Sequence, residues 1–578
     1  MMFASLARPR LAALLLAAVT VLPFLSPFHY LPLPQWWGEI AVVVLGALAC
    51  LCLPRGTLRL PRVVPWLTLL AVLWLSQPWF VELLFPGLNA ATALAFLALA
   101  LLALAVARWQ ALSDAETVMT VLAKGLLVGA LLQSLIGLAQ LTELAPLLGG
   151  VLFYDGAHPT SNIFGHIGQR NQYAHYLSWG LVAVSWLAVA RVLSRGVAVA
   201  VLLWLALSIA FAGSRTVLLY AAALLLLAPA WYWHVRDEAS KRLMQWLLLA
   251  AGLLLLMQFA LPLGEWLLRP LLHGELVASG VERLAANSDG MGARRLAEWG
   301  KAWLVFREAP WFGAGWSQYA YHSVRLQLLP QFVDSGVNSG LFSNAHNLVF
   351  QLLAEVGLIG TLAVLLGLSW VLLPWCGRQA RAVHLLPLAM LVISLLHSML
   401  EYPLWYLYFP AVLVMLLALA PVAEGGKRRP FRPVQYGALL MLLLAGYGSY
   451  RYVEMQGLYN PRSAQQQQRL QQIMRSEPLF AFHALGLLDD VVRPGRDSPP
   501  AQRQWIALLA QMRPYPDVLR KEAQFLALEG RPQEAAYTMR LALASFPTYA
   551  PFFLRALSPE EAAWQPLRQQ VEAAMSKP

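Results

Sequence analysis

Charged residues are scarce in this 578-residue sequence, because only 12% are Asp, Glu, Lys or Arg whereas 59% are hydrophobic. This scarcity, with a mean hydropathy of +0.57, excludes a soluble globular protein, since no soluble core absorbs so many long apolar runs. Cysteine is also rare. The three cysteines, Cys50, Cys52 and Cys376, lie within or beside apolar runs and indicate no disulfide framework.

The long apolar runs predict an all-α polytopic membrane protein with about 12 to 13 transmembrane helices. The N-terminal segment has a basic start and an apolar run without a convincing cleavage site, so we interpret it as a retained first helix. The predicted spans are residues 11–28, 39–53, 63–80, 89–107, 118–140, 172–190, 197–212, 216–233, 244–262, 347–375, 383–400, 404–421 and 434–449.

The distribution of basic residues predicts the orientation. With a cytoplasmic N-terminus, seventeen Lys and Arg residues fall on the inner side, and the short outer loops hold only Arg170 and Arg215. The asymmetry accounts for much of the net charge of +12 without any nucleic-acid partner. The predicted domains are helices one to nine in 1–262 with an outer loop at 141–171, a large outer loop at 263–345, helices ten to thirteen in 346–449, and an outer helical domain at 450–578.

The large outer loop and the tail contain further helical patterns. GARRLAEWGKAWLVFRE (292–308) predicts an amphipathic helix that lies in the membrane interface, and PWFGAGW (310–316) predicts a turn. In the tail, AQQQQRLQQ (464–472) is rich in glutamine. Residues 516–547, with Gly530 at the centre and Pro547 at the end, resemble a single tetratricopeptide-type helical hairpin.

The stretch LFSNAHNLVFQLLAEVGLIG (341–360) places polar residues at the start of the tenth predicted helix. Ser343 or Asn344 is the predicted N-cap, which would put His346 and Asn347 in the first turn, where the helix dipole favours anions and a neutral imidazole. Glu355 would then lie roughly 14 Å further into the bilayer, and an intramembrane carboxylate suggests a functional partner. The alternative is that His346 and Asn347 only cap the helix and face water.

Outside the tail, the notable polar motifs all fall on the predicted outer side of the membrane, which predicts a cleft at that surface. Arginines beside a helix N-terminus suit a diphosphate, and a neutral histidine suits activation or orientation of a hydroxyl nucleophile. No D-x-D pair, H-E-x-x-H motif or cluster of outer carboxylates is present, so we expect a metal-independent reaction without a cofactor. The motifs are HYLPLPQWWGE (29–39), NIFGHIGQRNQYAHY (162–176), GSR (213–215), Arg294 with Arg295, His346 with Asn347, and HSMLEYPLWY (397–406).

Each of these residues also has a structural interpretation. Arg215 would serve as a lone interface anchor, and Arg294 and Arg295 would contact lipid phosphates. Glu401 and Tyr402 would form a polar helix end. Gln169 and Asn171 would cap a helix. His158, His166 and His175 would be polar residues of loops or of the membrane interface.

In combination, the motifs resemble a known superfamily over most of residues 1–420. The Ser214–Arg215 turn, the R-x-x-x-W pattern from Arg295 to Trp299 with PWFGAG, and AHNLVFQLLAEVGLIG are similar to the signature of the O-antigen ligase and polymerase superfamily. HYLPLPQWWGE, GQRNQYA and HSMLEYPLWYLYFP resemble the PglL-type bacterial protein O-oligosaccharyltransferases, or pilin glycosylation ligases. Arg170 departs from this pattern, because a small residue or proline is expected at its position.

The resemblance implies a GT-C-like enzyme of the bacterial inner membrane with its active site facing the periplasm. Its donor would be an oligosaccharide on undecaprenyl diphosphate, transferred en bloc to a Ser or Thr hydroxyl of an exported protein such as a pilin. Arg215 and Arg295 would hold the diphosphate, with Arg294 a lesser candidate, and His346 would activate or orient the hydroxyl. The acceptor or glycan would be bound by Gln169, Asn171, Asn347, His397, Glu401 and Tyr402.

Three other interpretations are open at this stage. The chain would be an O-antigen ligase or polymerase that acts on lipid A core or on the glycan itself. It would be a transporter of lipid-linked glycan, for which Glu355 at depth is the supporting feature. It would be a membrane scaffold that acts through its helical tail.

Overall fold

The computed structural model describes residues 2–158, 160–268, 291–335, 340–377, 379–420 and 428–576. Within these ranges the chain is almost wholly helical. Its two short strands, β1 (Thr57–Arg59) and β2 (Arg428–Pro430), form one antiparallel ladder in which Leu58 lies opposite Arg429. This ladder joins the loop after the second helix to the segment that precedes the last membrane helix.

Each of the thirteen apolar runs predicted to span contains a helix, and the all-α polytopic membrane class is confirmed. Five helices of the described ranges are long and apolar enough to cross a membrane: α4, α5, α9, α10 and α13. The helices up to residue 457 are α1 (Met2–Val19), α2 (Trp36–Cys52), α3 (Val63–Ser76), α4 (Pro86–Gln110), α5 (Ala115–Leu141), α6 (Leu144–Leu147), α7 (Arg170–Val189), α8 (Arg195–Phe211), α9 (Val217–Val235), α10 (Glu238–Leu268), α11 (Met291–Glu308), α12 (Tyr319–Arg325), α13 (Leu348–Leu372), α14 (Leu385–Ser398), α15 (Tyr408–Leu417) and α16 (Arg432–Gly457).

Of the last four predicted spans, two are much shorter as helices than as apolar runs. Helix α15 has ten residues and α14 has fourteen, which gives lengths of about 15 and 21 Å, against about 30 Å for the hydrocarbon core. Short 3₁₀ turns, Ala382–His384 and Pro403–Trp405, precede them. Hydropathy alone does not distinguish an apolar turn from an apolar helix, so the predicted spans 383–400 and 404–421 were too long.

Packing divides the chain into two units. The first comprises Met1–Leu69, Ala95–Ser288 and Leu366–Tyr450, and the second comprises Leu70–Leu94, Asp289–Leu365 and Arg451–Pro578.

Helix α7 lies at the centre of the first unit. All of its residues from Gln172 to Leu187 are buried, as expected of a helix that is mostly apolar all round. Its aromatic side chains pack against the other membrane helices, because Tyr176 stacks on Phe24 with centroids 4.1 Å apart and Trp179 meets Phe409 at 5.5 Å. This packing fixes the start of α7, where the polar residues of the 162–176 motif lie.

In the second unit, helix α13 is interrupted at Gly357, whose φ of 63° and ψ of −166° are not helical. The PWFGAGW segment binds the backbone groups that the interruption frees. Ala314 N donates to Ala354 O at 2.8 Å, and Leu358 N donates to Pro310 O at 2.8 Å. The side chain of Gln77 donates to the carbonyl of Glu355 at 2.7 Å. Unpaired backbone groups are costly at membrane depth, so the predicted turn has a structural role that the sequence did not indicate.

We expect Gly313→Ala to lower the stability of the protein by about 2–3 kcal/mol, because Gly313 has a φ of +71° and an added Cβ would lie 2.3 Å from the carbonyl carbon of Glu355. Thermal unfolding of the purified protein in detergent measures the change. Gly252→Ala in α10 is the matched control, since outside its own helix backbone no heavy atom lies within 4 Å of its added Cβ. The control should melt at the same or a higher temperature; equal melting temperatures for the two variants would contradict the proposed close approach.

The tail of the second unit is helical, and the predicted hairpin at 516–547 is present. Its helices, Pro516–Leu528 and Pro532–Ser545, are joined at Gly530, which has a φ of +75°. The glutamine-rich segment forms Ala464–Ser476 behind a capping box of Ser463 and Gln466. In chain order the tail helices are α17 (Ala464–Ser476), α18 (Ala481–Asp489), α19 (Pro500–Met512), α20 (Pro516–Leu528), α21 (Pro532–Ser545), α22 (Ala550–Ala556) and α23 (Gln565–Met575).

Candidate active site

The predicted amphipathic helix forms as α11, and it presents an apolar stripe outward. Leu296 is 63% exposed and Trp303, seven residues later, is 46% exposed. Trp303 packs against Phe306 with ring centroids 5.2 Å apart. An exposed apolar stripe on a basic helix suits the predicted place in the membrane interface.

The opposite side of α11 meets the segment that precedes α13, and there Arg295 and His346 interact. Trp299, one turn after Arg295, stacks on Phe350 with centroids 5.9 Å apart and an interplanar angle of 22°. Phe350 follows His346 by four residues. The stacked rings hold together the segments that carry the R-x-x-x-W pattern and the His346–Asn347 pair. The Arg295 guanidinium acts electrostatically on the His346 imidazole.

His346 lies just outside the helix rather than in its first turn, so the predicted cap was wrong. Asn347 is the residue that caps α13, because its Oδ1 accepts hydrogen bonds from the backbone of Val349 at 3.1 Å and of Phe350 at 3.2 Å. Asn344 instead accepts the backbone N–H of His346 at 3.0 Å. His346 itself has a φ of +52°, an uncommon backbone conformation that the surrounding bonds hold in place.

The His346 imidazole is neutral at pH 7. Its pKa is lowered from 6.5 to about 4, mainly by burial and also by the positive charge of Arg295, whereas the carbonyl of Asn344 and the carboxylate of Glu298 act in the opposite direction. Neutrality was predicted from the helix dipole, but burial and Arg295 are the main causes. Nδ1 lies 3.2 Å from the Asn344 carbonyl, which only accepts, so Nδ1 carries the proton and Nε2 carries the lone pair.

Arg294 and Arg295 have different surroundings although they are adjacent. Arg294 is 5% exposed and is held by Glu298 at 3.2 Å, by the carbonyl of Ser335 at 2.9 Å and by the ring of Phe342, whose centroid is 4.9 Å away. Arg295 is half-buried. Arg294 therefore ties α11 to Ser335 and Phe342, and Arg295 is the better candidate for an anionic ligand.

Glu298 organises a buried polar network that the sequence analysis missed. Lys301 donates to Glu298 at 3.0 Å, Ser323 donates to it at 2.6 Å and the Tyr319 hydroxyl donates to it at 2.9 Å. Burial alone would raise the pKa of Glu298, but Lys301 and Arg294 outweigh it and hold this pKa below its ordinary value. The Glu298 and Lys301 pair, three residues apart on one helix, was the available signal.

Glu355, predicted to have a functional partner, has structural ones. Its carboxylate accepts the backbone N–H of Tyr319 at 3.1 Å, and its own carbonyl accepts from Gly315 at 3.1 Å. The side chain is 1% exposed. Glu355 thus fixes the start of α12 beside the interruption in α13, which gives the buried carboxylate a role without transport.

In the first unit, a chain of hydrogen bonds surrounds the turn that carries Arg215. Ser214 donates to Asn171 Oδ1 at 2.8 Å, and Asn171 Nδ2 donates to Glu401 at 3.1 Å. Because the single hydroxyl proton of Ser214 is used in this way, the Thr216 hydroxyl donates to Ser214 over 2.8 Å. Arg215 is the residue between Ser214 and Thr216 in the sequence, and it is half-buried.

His397 is fully buried rather than placed at a surface. Its Nδ1 bonds the hydroxyl of Tyr220, and its ring stacks on that of His175 with centroids 4.8 Å apart. His175 in turn bonds Ser394 at 2.9 Å. His397 and His175 therefore belong to the core beside the Asn171 and Glu401 bond, and Tyr220 is a member of this cluster that the sequence did not indicate.

Several other predicted residues have local structural roles. Gln169 caps α7 by accepting the backbone N–H of Gln172 at 2.9 Å, and Tyr402 is half-buried with its ring stacked on Tyr406. Arg170 donates to Asn162 at 2.9 Å. His166 bonds the carbonyl of Leu25 at 2.9 Å, and His158 is exposed beside Asp155.

The three motifs that resemble the PglL-type proteins, at 29–39, 162–176 and from residue 397 onward, meet within the first unit. His29 bonds the carbonyl of His166 at 2.8 Å, which joins the 29–39 and 162–176 motifs. The Tyr408 hydroxyl donates to Gln35 at 3.2 Å, and Asn171 donates to Glu401, so both motifs also contact the segment that begins at residue 397. Residues separated by up to 373 positions in the sequence thus form one polar framework around the Arg215 turn.

The chemistry of the second-unit cluster is clear from its charges. Three basic residues, Arg294, Arg295 and Lys301, lie around the carboxylate of Glu298, so the cluster favours an anion, and a neutral imidazole stands beside it. The first-unit framework carries one further arginine, Arg215, on the turn between Ser214 and Thr216. Fixed guanidinium groups suit a phosphate, and an imidazole with a lone pair on Nε2 suits a hydroxyl group.

Comparison with known proteins yields three family matches. The family described as "O-Antigen ligase" matches residues 199–365, which include Arg215, Arg295 and His346. The family described as "Protein glycosylation ligase" matches residues 163–188, and the one described as "Virulence factor membrane-bound polymerase, C-terminal" matches residues 385–558.

One curated relative is similar over most of its length. The chain is 28% identical over 420 residues to the "General O-oligosaccharyltransferase" of Acinetobacter baylyi, which covers 70% of this chain and 69% of the relative. No solved structure matches the chain. The resemblance to the PglL-type proteins is confirmed, and the matches support O-linked transfer of a glycan to protein as the class of activity.

Proposed function

We propose, from the confirmed resemblance to the PglL-type O-oligosaccharyltransferases, that this multi-pass membrane protein transfers an oligosaccharide en bloc from undecaprenyl diphosphate to Ser or Thr hydroxyls of exported proteins such as pilins. The observation that carries the proposal is the pairing of Arg295 with a neutral His346 on the surface between α11 and the start of α13. It combines a site for a phosphate with a group that accepts a hydroxyl proton.

In this proposal Arg215 and Arg295 bind the diphosphate of the donor. Each guanidinium is delocalised and always charged, and each stands on a framework of fixed side chains, so little reorganisation accompanies the reaction. The framework is the Ser214, Asn171 and Glu401 chain for Arg215, and the Glu298 network with the Trp299 stack for Arg295. Arg294, already bound by Glu298 and Ser335, supports the position of α11.

His346 acts on the acceptor. The hydroxyl oxygen attacks the anomeric carbon of the donor sugar while the bond from that carbon to the diphosphate oxygen breaks. The hydroxyl proton passes to Nε2 of His346, and the diphosphate leaves with the electron pair of the broken bond. Because the diphosphate is a good leaving group, positioning and charge stabilisation supply most of the catalysis, and we propose that no metal takes part.

The surface that carries the cluster faces the periplasm in the proposed orientation, and the membrane is the bacterial inner membrane. The support is the excess of Lys and Arg on the opposite side of the predicted spans. Asn171, His397, Glu401, Gln169 and Tyr402 then shape the acceptor or glycan site, mostly from beneath, because His397 and Glu401 are buried.

A strain that lacks the protein tests the proposal. It receives wild type, His346→Ala or Arg215→Ala at matched membrane levels, and the intact mass of exported glycoproteins is measured beside the lipopolysaccharide ladder. We expect both variants to lose the mass of one whole glycan from the protein, with an unchanged ladder.

The second candidate function is ligation or polymerisation of O-antigen, which the polymerase match over residues 385–558 favours. In that case the ladder of both variants would collapse to bare core or single units while the protein masses stay constant. If neither readout changes, the catalytic assignment of His346 and Arg215 is wrong.

A further inference from the structure

A cavity of about 750 Å³ lies at the ends of three membrane helices of the first unit, away from the candidate active site. Helix α7 ends at Val189, α8 begins at Arg195 and α10 begins at Glu238. The connection between α7 and α8 turns at Arg191, which has a φ of 57°. The cavity opens where these helices reach the predicted cytoplasmic side.

Three arginines line the cavity without a compensating carboxylate. Arg191, Arg195 and Arg242 are all exposed, and no Asp or Glu is among the lining residues. Within the described ranges, the side chains of Arg191 and Arg195 form no hydrogen bond or ion pair, and Arg242 donates only to the backbone of Glu238 at 3.2 Å. Three cations that converge without a counter-ion create a strong local preference for an anion.

The rest of the lining is apolar or amphipathic. Leu193 and Leu249 contribute alkyl groups, and Trp246, one turn beyond Arg242 on α10, contributes an indole ring. Tryptophan is enriched where headgroups meet acyl chains. A site with guanidinium groups at the aqueous end of membrane helices and apolar side chains beside them matches a molecule that has both a phosphate and hydrocarbon.

We propose that this cavity binds the headgroup of an anionic glycerophospholipid, with the phosphate on Arg191, Arg195 and Arg242 and the glycerol and upper acyl chains on Trp246 and Leu249. Basic cavities between membrane helices are known to bind such headgroups. A free phosphate would use the arginines but would leave the apolar part of the lining in contact with water. The site is separate from the proposed donor site and does not depend on the proposed reaction.

The test uses the full-length protein purified in detergent. Dioleoyl phosphatidylglycerol is titrated and the protein with one bound lipid is counted by native mass spectrometry, with dioleoyl phosphatidylcholine as the neutral comparison. The variant Arg191→Gln/Arg195→Gln/Arg242→Gln should bind phosphatidylglycerol roughly 100-fold more weakly than wild type, from the expected effect of three basic residues.

A matched control removes three positive charges from the same predicted side of the membrane but outside the cavity. Arg236→Gln/Lys241→Gln/Arg428→Gln should bind phosphatidylglycerol within about threefold of wild type, because none of these residues lines the cavity. Arg195→Glu alone gives a second measurement, since a carboxylate in the first turn of α8 favours the helix while it repels the lipid phosphate.

Three results would overturn the proposal. Equal weakening in both triple variants would indicate a diffuse surface charge rather than a site. Equal binding of phosphatidylcholine would show that the anion is not recognised. Displacement of phosphatidylglycerol by millimolar inorganic phosphate would show that the cavity binds free phosphate rather than a lipid.

Discussion

Replacement of His346 by alanine is expected to lower the rate of glycan transfer by about 10²- to 10⁴-fold, the usual contribution of a positioned proton acceptor. The variant keeps Arg295 and the Trp299 and Phe350 stack, so its affinity for the lipid-linked donor should change little. The measurement is transfer from a lipid-linked oligosaccharide to an acceptor protein in detergent, with kcat and KM for the donor determined separately. A loss confined to kcat would assign His346 to the chemical step.

His322 is a matched control for this variant. It is half-buried in α12, in the same unit, and its pKa is lowered to about 4, mainly by burial and also by Arg325. It has no role in the proposed reaction, so His322→Ala should transfer glycan at a rate within a few-fold of wild type. Retention of the wild-type rate by His346→Ala would exclude His346 from the chemical step.

His346→Gln separates proton transfer from orientation. Glutamine forms hydrogen bonds with a hydroxyl group but does not take its proton at neutral pH. If His346 accepts the proton, the glutamine variant is as slow as the alanine variant. If His346 only orients the hydroxyl, the glutamine variant recovers much of the lost rate.

The membrane helices were predictable because apolar runs report burial in lipid directly, whereas the interruption in α13 was not. The sequence from Leu348 to Trp375 is one apolar run, and a single glycine such as Gly357 is compatible with a continuous membrane helix. Only the pairing of Ala314 and Pro310 with the backbone beside Gly357 shows that the helix is discontinuous. Such a contact joins segments that hydropathy treats independently.

The cap of α13 shows a different limit of sequence analysis. Ser343, Asn344 and Asn347 are all good N-cap residues, so local preference does not choose among them. The choice depends on Gln351, which accepts the backbone N–H of Ala345 at 2.6 Å and so keeps that segment out of the helix. His346 is still the candidate proton acceptor, because burial rather than the helix dipole keeps its imidazole neutral.

The candidate site was partly predictable from residue types, but its pairings were not. Adjacent residues of a helix point about 100° apart, so only one of Arg294 and Arg295 faces His346, and the sequence does not say which. The structure assigns Arg294 to Glu298 and Arg295 to His346. The bond between Asn171 and Glu401 spans 230 residues, and nothing local to either residue indicates it.

Arg295→Gln is expected to lower kcat/KM for the donor by about 10²- to 10³-fold, as for removal of one charge-stabilising donor from an active site. Arg295→Lys should recover only part of this loss, because a lysine does not reproduce the bidentate geometry of a guanidinium on a phosphate. The same assay in detergent measures both variants. A value for Arg295→Gln within a few-fold of wild type would contradict the assignment of Arg295 to the diphosphate.

Arg295 also has a predicted effect on pH dependence, and its sign follows from electrostatics. His346 has a pKa of about 4 in the folded protein, so the acidic limb of kcat/KM in wild type should lie near pH 4. The Arg295 charge disfavours the imidazolium, and its removal therefore raises this pKa; burial persists, so the pKa stays below 6.5. The acidic limb of Arg295→Gln should move upward, to a pH between 4 and 6.5, and an unmoved limb would show that the two residues are not coupled.

The bound donor should have the same effect as this substitution, since its diphosphate offsets the charge of Arg295. The acidic limb of kcat in wild type, which reports the complex, is then expected at a higher pH than the limb of kcat/KM, which reports the free enzyme. Because the pKa of His346 is lower in the folded protein than its ordinary value of 6.5, the stability that the neutral imidazole contributes is complete above pH 6.5 and is lost as the pH falls through 4. Rates at low pH are therefore measured as initial rates, before the protein unfolds. A proton acceptor that is weak in the free protein and stronger beside the donor would restrict deprotonation of the acceptor hydroxyl to the complex that is able to react.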